Sequence, residues 1–298
     1  MRYKTISIDN NADLSYSGGY LCIKTDEKFT REYLGNVSTI VINSLEVRLT
    51  TFLINALNKE GIRLVFTDNK KFPSSIIMPL HATGDTYHKV KEQLSWKTND
   101  KDALWSDIVK NKIKMQGEFL NSVGRDFETQ RFLEMVIHGD IRNAEGYAAR
   151  SYFLRLFGNG YSRRKDHIIN AGLNYGYAIL LSLISRIIVS YGFLTELGIH
   201  HKSKRNNFNF ASDVMEPFRP IVDKIVYENQ DKEELDKEYK QKLILVLDYP
   251  VLYGNKEYRL NEAAEQYFLN IVRILNKDAD KLTEVKYVHK RWVYNCYV

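Results

Sequence analysis

The stretch IINAGLNYGYAILLSLISRIIVSYGF, from Ile168 to Phe193, is the longest apolar segment of the sequence. Its apolar residues recur every three to four positions, which predicts a helix. The same stretch contains Asn170, Asn174 and Arg186, and such polar and charged side chains are costly inside a bilayer. We therefore predict a buried core helix and not a membrane span.

The positions of the prolines extend the helical region on both sides of this segment. The five prolines lie at positions 73, 79, 217, 220 and 250, so none lies within residues 80–216. An interior proline would interrupt the hydrogen-bond ladder of a helix, and several segments of this run repeat apolar residues at helical spacing. The pattern returns after Pro220. The sequence predicts a large all-α C-terminal domain over residues 93–298.

The first 92 residues have a different pattern. Short runs such as YKTISI and YLCIK alternate with turn-forming residues at Asp9–Asn11 and Ser17–Gly19. One segment, EVRLTTFLINALNKEG (46–61), has helical spacing and ends at Gly61, a residue type that commonly follows a helix C-terminus. We predict an α+β protein in which a small N-terminal β domain with one helix, residues 1–92, precedes the helical domain.

Composition limits the class of protein and of partner. Hydrophobic residues are 44% and charged residues 27% of the chain, which excludes a disordered or fibrous protein. Lys plus Arg exceeds Asp plus Glu by 43 to 37, a net charge of +6, and this favours an anionic partner such as nucleic acid. The N-terminus has no secretory signal, and Cys22 and Cys296 cannot form a CxxC motif. We expect a cytoplasmic protein.

Two places in the predicted helical domain contain isolated chemistry-bearing residues. Glu145, in NAEGYAARSYFLRLFG, lies near the start of a predicted helix, where a glutamate favoured by the helix dipole is the simpler interpretation. His200 and His201 follow Gly198 and Ile199 after the long apolar helix. Paired histidines at a helix end are often dipole partners or exposed residues, so neither place identifies a site alone.

A third place is ASDVMEPFRPIVD, residues 211–223. Asp213, Glu216 and Arg219 are spaced three apart, so a helix would place them on one face, as in an ordinary surface salt bridge. A histidine with two or three carboxylates from separate helices can hold a divalent metal. Basic residues that could bind a phosphodiester backbone lie on two sides of this set: Arg163, Arg164, Lys202, Lys204 and Arg205.

Three segments together resemble the CRISPR-associated integrase family, whose members insert new spacers into the repeat array. They are EGYAARSYF, NAGLNYGYAIL and LGIHHKSKRNNFNFASDVMEPFRPIVD. The resemblance covers the whole chain, and the N-terminal hairpins and the MEPFRPIVD segment are most similar to type II members. The family combines an N-terminal β domain with a helical catalytic domain, in agreement with the division predicted above.

The resemblance also implies site residues. The metal ligands of the family fall on Glu145, His201 and Glu216, which would bind Mg²⁺ or Mn²⁺. Many relatives have aspartate at the third position, so Asp213 would be an alternative ligand or would orient a ligand. Phosphate contacts are implied for Lys204 and Arg219, and the DNA track would include Lys202, Arg205, Arg163 and Arg164.

The implied activity is a metal-dependent endonuclease and integrase, in which the 3′-hydroxyl of a prespacer duplex attacks a phosphodiester at a repeat border. Implied partners are double-stranded DNA, a second copy in a homodimer, and the second CRISPR-associated protein. For type II members they extend to other acquisition proteins and the effector nuclease. Two other classes fit the residues: a metal-free DNA-binding scaffold and a metal-dependent hydrolase of small phosphorylated molecules.

Overall fold

The computed structural model describes residues 4–69, 73–77, 85–164 and 167–288, and Cys296 lies outside these ranges. The described residues form two compact units. The first contains residues 4–77 and Asp236–Leu245, and the second contains residues 85–235 and 246–288. The boundary between residues 92 and 93 stays a prediction, but by packing the helix over residues 86–95 belongs entirely to the second unit.

The first unit contains two four-stranded sheets in the described part of the chain. Its strands are β1 (Lys4–Ile8), β2 (Ala12–Ser17), β3 (Tyr20–Lys24), β4 (Phe29–Tyr33), β5 (Val37–Ile42), β6 (Val47–Leu49), β7 (Arg63–Thr67) and β8 (Pro73–Ile77). One sheet has the order β1-β5-β7-β8, in which β1, β5 and β7 are parallel and β8 is antiparallel to β7. The other has the order β4-β3-β2-β6, with β6 parallel to β2 and the remaining pairs antiparallel.

Helix α1 (Thr51–Lys59) packs its buried Leu53 and Leu57 into the core of this unit. The side chain of Thr50 accepts a hydrogen bond from the backbone N–H of Leu53 and so caps the helix. Gly61 follows the C-terminus with φ +69°, as predicted. The prediction of one helix over residues 46–61 is wrong for its first part, because β6 pairs with β2 before the cap.

The remaining helices are α2 (Thr86–Ser95), α3 (Thr98–Ser122), α4 (Thr129–Met135), α5 (Ala144–Phe157), α6 (Ile168–Ser190), α7 (Asn209–Val214), α8 (Arg219–Glu228), α9 (Lys237–Ile244) and α10 (Leu260–Leu275). All except α9 belong to the second unit. Among the described residues, α6 is the one helix long and apolar enough to cross a membrane, and 72% of its most apolar window is buried. This burial agrees with the prediction of a core helix.

The second unit is mostly helical, which confirms the α+β class, but it is not all-α as predicted. Strands β9 (Pro250–Tyr253), β10 (Lys256–Arg259) and β11 (Val285–Tyr287) form an antiparallel sheet in the order β10-β9-β11. Gly254 and Asn255 form the two-residue loop between β9 and β10, and Gly254 has φ +61°. A short hairpin of this kind is favoured by a Gly-Asn turn, a signal present in the sequence.

Candidate metal and nucleic-acid site

Helix α5 presents Glu145 from its first turn. The side chain of Asn143 accepts a hydrogen bond from the N–H of Gly146. The carboxylate of Asp140 accepts hydrogen bonds from the N–H groups of Ala144 (2.9 Å) and Glu145 (3.0 Å). Because these two neighbours cap the helix, the carboxylate of Glu145 does not serve as the cap and points elsewhere.

The carboxylates of Glu145 and Glu216 both contact the ammonium group of Lys112, in the middle of α3. Lys112 Nζ donates to Glu145 Oε1 and, at 2.5 Å, to Glu216 Oε2. Glu216 begins a short 3₁₀ helix (Glu216–Phe218) between α7 and α8, and its Oε1 lies 3.0 Å from Arg219 Nε in an ion pair. Two carboxylates from separate elements therefore share one buried cation.

The charges of this cluster affect one another. Burial alone would raise the pKa of Glu216, but Arg219 and Lys112 hold this pKa below its usual value. Burial alone would lower the pKa of Lys112, but Glu216 and Glu145 raise it above its usual value. The carboxylate of Glu216 is therefore ionised and Lys112 is charged near neutral pH.

A second buried carboxylate, that of Asp213, organises the backbone around the two histidines. Its Oδ2 accepts hydrogen bonds from the N–H groups of Ile199 (2.6 Å) and His200 (3.0 Å). Its Oδ1 accepts from the N–H of His201 (3.2 Å) and lies 2.5 Å from His201 Nδ1. The side chain of Asp213 is fully buried, and these four donors explain how a carboxylate is stable there.

Only glycine fits at position 198, at the start of this turn, because other atoms of the turn lie close to its Cα. A Cβ at this position would lie 2.4 Å from the carbonyl oxygen of His201 and 2.8 Å from Asp213 Oδ2.

The hydrogen bond between Asp213 and His201 Nδ1 raises the pKa of His201. It also fixes the neutral ring in the tautomer with Nδ1 protonated, so that Nε2 is the nitrogen that could bind a metal.

Trp105 of α3 packs against both histidine rings. Its ring stacks on His200 with centroids 4.3 Å apart and 3° between planes, and it meets the ring of His201 edge to face at 5.7 Å. Trp105 and Lys112 are seven residues apart, so they lie on one face of α3. Sequence reasoning missed both residues, although a lysine among the buried residues of a helix is itself an informative signal.

The structure brings together only part of the predicted site. Asp213 and Glu216 have different partners, since Asp213 contacts His201 and Glu216 contacts Lys112, although the backbone between them stays right-handed helical at Met215. Within the described part of the chain, no three His, Cys, Asp or Glu side chains are arranged to hold a metal ion. The ligand set Glu145, His201 and Glu216 stays a prediction.

The predicted basic residues occupy two places. Arg163 donates to the side-chain oxygens of Asn170 (3.1 Å) and Asn174 (2.7 Å), and its guanidinium lies 5.8 Å from the ring centroid of Tyr177. Arg219 lies over the same ring at 4.7 Å, so the ring of Tyr177 lies close to both guanidinium groups. Arg163 is exposed, and so are the remaining members of the set: Arg164, Lys202, Lys204 and Arg205.

The donor set suits a divalent cation such as Mg²⁺ or Mn²⁺. Glu145 and Glu216 converge on one cationic nitrogen, which shows that their oxygens can face a common positive charge. Carboxylate oxygens suit both metals, and an imidazole nitrogen suits Mn²⁺ better than Mg²⁺. The two carboxylates thus have suitable donor chemistry for such a cation, and His201 is a third donor of suitable chemistry.

Comparison with known proteins agrees with the resemblance noted from the sequence. Residues 6–247 match the family model described as CRISPR associated protein Cas1. A CRISPR-associated endonuclease Cas1 from Neisseria meningitidis serogroup C (strain 8013) is 33% identical over 258 residues, which are 84% of this chain and 85% of the relative. One from Francisella tularensis subsp. novicida (strain U112) is 24% identical over 287 residues, 85% and 89% of the two chains.

Solved structures share the fold at lower identity. A casposase bound to integration product superposes with a TM-score of 0.73 and 20% identity, covering 95% of this chain and 92% of its own. A CAS1 protein from Thermotoga maritima has a TM-score of 0.69 and 15% identity, with coverages of 92% and 97%. A chain of a Cas6-RT-Cas1–Cas2 complex has a TM-score of 0.72 and 18% identity, covering 97% of this chain and 36% of that chain.

Proposed function

This chain belongs to the CRISPR-associated Cas1 family, and on that premise we propose that it is a metal-dependent DNA integrase and endonuclease of CRISPR adaptation, of the type II form. The observation that carries the proposal is the convergence of Glu145 and Glu216 on one positive charge. The same unit contains His201, whose ring is held by Asp213. Such a donor set suits phosphodiester chemistry.

The proposed reaction is a transesterification. The 3′-hydroxyl oxygen of a prespacer strand forms a bond to phosphorus at a repeat border, and the 3′-oxygen of the cut repeat strand leaves and takes up a proton. Hydrolysis by the same site would use water as the nucleophile. A bound Mg²⁺ or Mn²⁺, held by Glu145, His201 and Glu216, would neutralise phosphate charge and acidify the attacking hydroxyl.

Each side chain of the site has a part in this proposal. Asp213 holds the ring of His201 so that Nε2 is available as a donor. Arg219 keeps Glu216 ionised and is close enough to the cluster to contact a phosphate. No covalent protein nucleophile is needed, because positioning and electrostatic stabilisation can supply most of the catalysis of phosphoryl transfer.

The partners follow from charge and from the family. The exposed Lys202, Lys204, Arg205 and Arg164, with Arg163 and Arg219, are proposed to bind the backbone of double-stranded DNA, both prespacer and repeat array. Since one structural relative is part of a Cas1–Cas2 complex, we propose assembly with Cas2. We further propose a homodimer joined through the β domains, cytoplasmic location, and contact with other type II acquisition proteins and the effector nuclease.

Strand transfer tests this function directly. A labelled short duplex with 3′-hydroxyl ends is incubated with a supercoiled plasmid that carries a repeat array, Cas2, and Mn²⁺ or Mg²⁺. We expect joining by the wild type and at least about a 100-fold loss for His201→Ala or Glu145→Gln, the scale of removing a catalytic group. His200→Ala is the matched control, because Asp213 contacts the ring of His201 and only the backbone N–H of His200.

Four results would contradict the proposal. Joining that persists in Glu145→Gln, or with a duplex whose 3′ ends are blocked, would exclude the assigned site or the assigned nucleophile. Metal-independent binding of the duplex by the wild type with no joining under either metal would favour a DNA-binding scaffold. Turnover of a free nucleotide without duplex DNA would instead favour a hydrolase of small phosphorylated molecules.

A further inference from the structure

Lys112 is the central charge of the candidate site, although it is not a metal-ligating residue type. Its side chain is only 8% exposed, and Nζ contacts Glu145 Oε1 and Glu216 Oε2. A buried lysine persists only when its charge is paired. Its two partners are two of the three residues that the proposed function assigns to the metal. The ammonium group of Lys112 and the divalent metal would therefore bind the same pair of carboxylates.

The charges around this pair are already balanced in the structure. Glu145 and Glu216 contribute two negative charges, and Lys112 and Arg219 contribute two positive charges. A divalent cation facing the same two carboxylates would stand within a few ångströms of the ammonium group, where like charges repel strongly in a partly buried site. It would also need oxygen lone pairs to which Lys112 now donates.

We propose that Lys112 is an internal counter-cation that competes with the divalent metal for Glu145 and Glu216. This inference rests on the proposed metal site. In the metal-free protein the ammonium group and the guanidinium of Arg219 together neutralise the two carboxylates, and the ammonium links α3, α5 and the 3₁₀ helix at Glu216. Its flexible four-carbon stem lets the ammonium leave the carboxylates when a metal binds. Lys112 therefore lowers the metal affinity of the DNA-free enzyme.

Metal binding by the full-length protein without DNA tests the inference independently of activity. Binding of Mn²⁺ is followed by the loss of the electron paramagnetic resonance signal of free Mn²⁺. We expect Lys112→Met to bind Mn²⁺ at least about tenfold more tightly than the wild type, the factor that corresponds to 1.4 kcal/mol. Lys112→Arg, which keeps the charge, should bind like the wild type.

The same helix offers a matched control. Lys114 of α3 pairs with Glu284 at 2.5 Å, and both side chains are more than 30% exposed. Lys114→Met removes the same charge two residues away and should leave Mn²⁺ affinity within about twofold, because exposed charges are screened. Glu216→Gln identifies the site, since it should weaken Mn²⁺ binding in the Lys112→Met background.

Equal or weaker Mn²⁺ binding by Lys112→Met would overturn the inference, because a merely structural lysine would lower metal affinity when removed. Absence of any Mn²⁺ binding that depends on Glu216 would remove the proposed metal site and the inference with it. If the Lys112→Met variant does not fold without metal, recovery of its folded circular dichroism spectrum on addition of Mn²⁺ supports competition between Lys112 and the metal. Failure to recover at millimolar Mn²⁺ overturns it.

Discussion

Substitution of Asp213 by Asn tests whether one buried carboxylate holds the turn that presents His201. The Oδ2 atom of Asp213 accepts two backbone hydrogen bonds, from Ile199 and His200, and the Oδ1 atom serves both the N–H and the Nδ1 of His201. An asparagine replaces one of these oxygens with an NH₂ group. If the NH₂ group replaces Oδ2, the N–H groups of Ile199 and His200 both face another donor; if it replaces Oδ1, the N–H of His201 does so, while Nδ1 of the ring can accept in its other tautomer.

The size of the effect follows from this count. A hydrogen bond to a charged acceptor contributes about 1.5–3 kcal/mol, so the loss of one or two should lower the free energy of unfolding by about 1.5–6 kcal/mol. A domain of 150–250 residues loses about 2–4 °C in Tm per kcal/mol, and we therefore expect Asp213→Asn to melt roughly 3–24 °C below the wild type. The strand-transfer activity should also fall, since His201 loses its fixed tautomer.

Thermal unfolding followed by circular dichroism is the assay, and two further variants complete it. Gly198→Ala should destabilise the protein in the same direction, because its Cβ would overlap the carbonyl oxygen of His201. Asp107→Asn, at an exposed position of α3, is the control and should change stability by less than about 0.5 kcal/mol. If Asp213→Asn and Gly198→Ala both stay within about 1 kcal/mol of the wild type, Asp213 does not anchor the turn.

Three further predictions concern the core around the site. Burial raises the pKa of Asp223 to about 7, so the stability of the wild type should fall by about 4 kcal/mol as pH rises from about 4 to 7 and then level off, since the folded state retains a proton that the unfolded state has lost. Urea unfolding at pH 5 and pH 8 should show about 3 kcal/mol of this decline, and none of it in Asp223→Asn. Trp105→Ala should cost about 3–5 kcal/mol and Trp105→Phe, which keeps a ring against His200, less than half of that; equal losses by urea titration would exclude the stacking role. Gly117→Ala places a Cβ 2.1 Å from Thr129 Oγ1 and should cost about 1–3 kcal/mol, a loss that thermal melting should find reduced when Thr129→Ala is added.

The large features of the fold could be predicted because they depend on local periodicity. The apolar repeat of α6 and the absence of proline from residues 80–216 indicated helices, and alternating strands with turn residues indicated sheets near the N-terminus. The errors fall where an element is too short for its period to show. Val47–Leu49 is a three-residue strand, and β11 is equally short, so their pairing partners and not their own sequences determine their structure.

The candidate site was predictable only as a set of residue types. Family motifs indicated Glu145, His201 and Glu216, but spacing could not show which carboxylate faces which partner. Asp213 and Glu216 are only three residues apart, and α7 ends between them. Asp213 contacts His201, whereas Glu216 contacts Lys112. The partners of the two carboxylates lie in other elements of the fold, and spacing within one segment has no signal for them.

For Lys112, the sequence pattern indicates that the side chain needs partners of opposite charge but not which residues they are. The lysine lies among buried residues of α3, including Ile108, Val109 and Met115, and a charge at such a position requires partners of opposite sign. That requirement can be inferred from the helix alone. The identity of the partners cannot, since Glu145 and Glu216 lie 33 and 104 residues further along the chain. The charge balance of these partners weakens the attraction for a divalent cation. Two carboxylates already neutralised by one ammonium and one guanidinium attract a metal less than free carboxylates do. If the proposed metal site exists, its affinity for metal therefore depends on Lys112 of α3 as well as on the residues that would bind the ion.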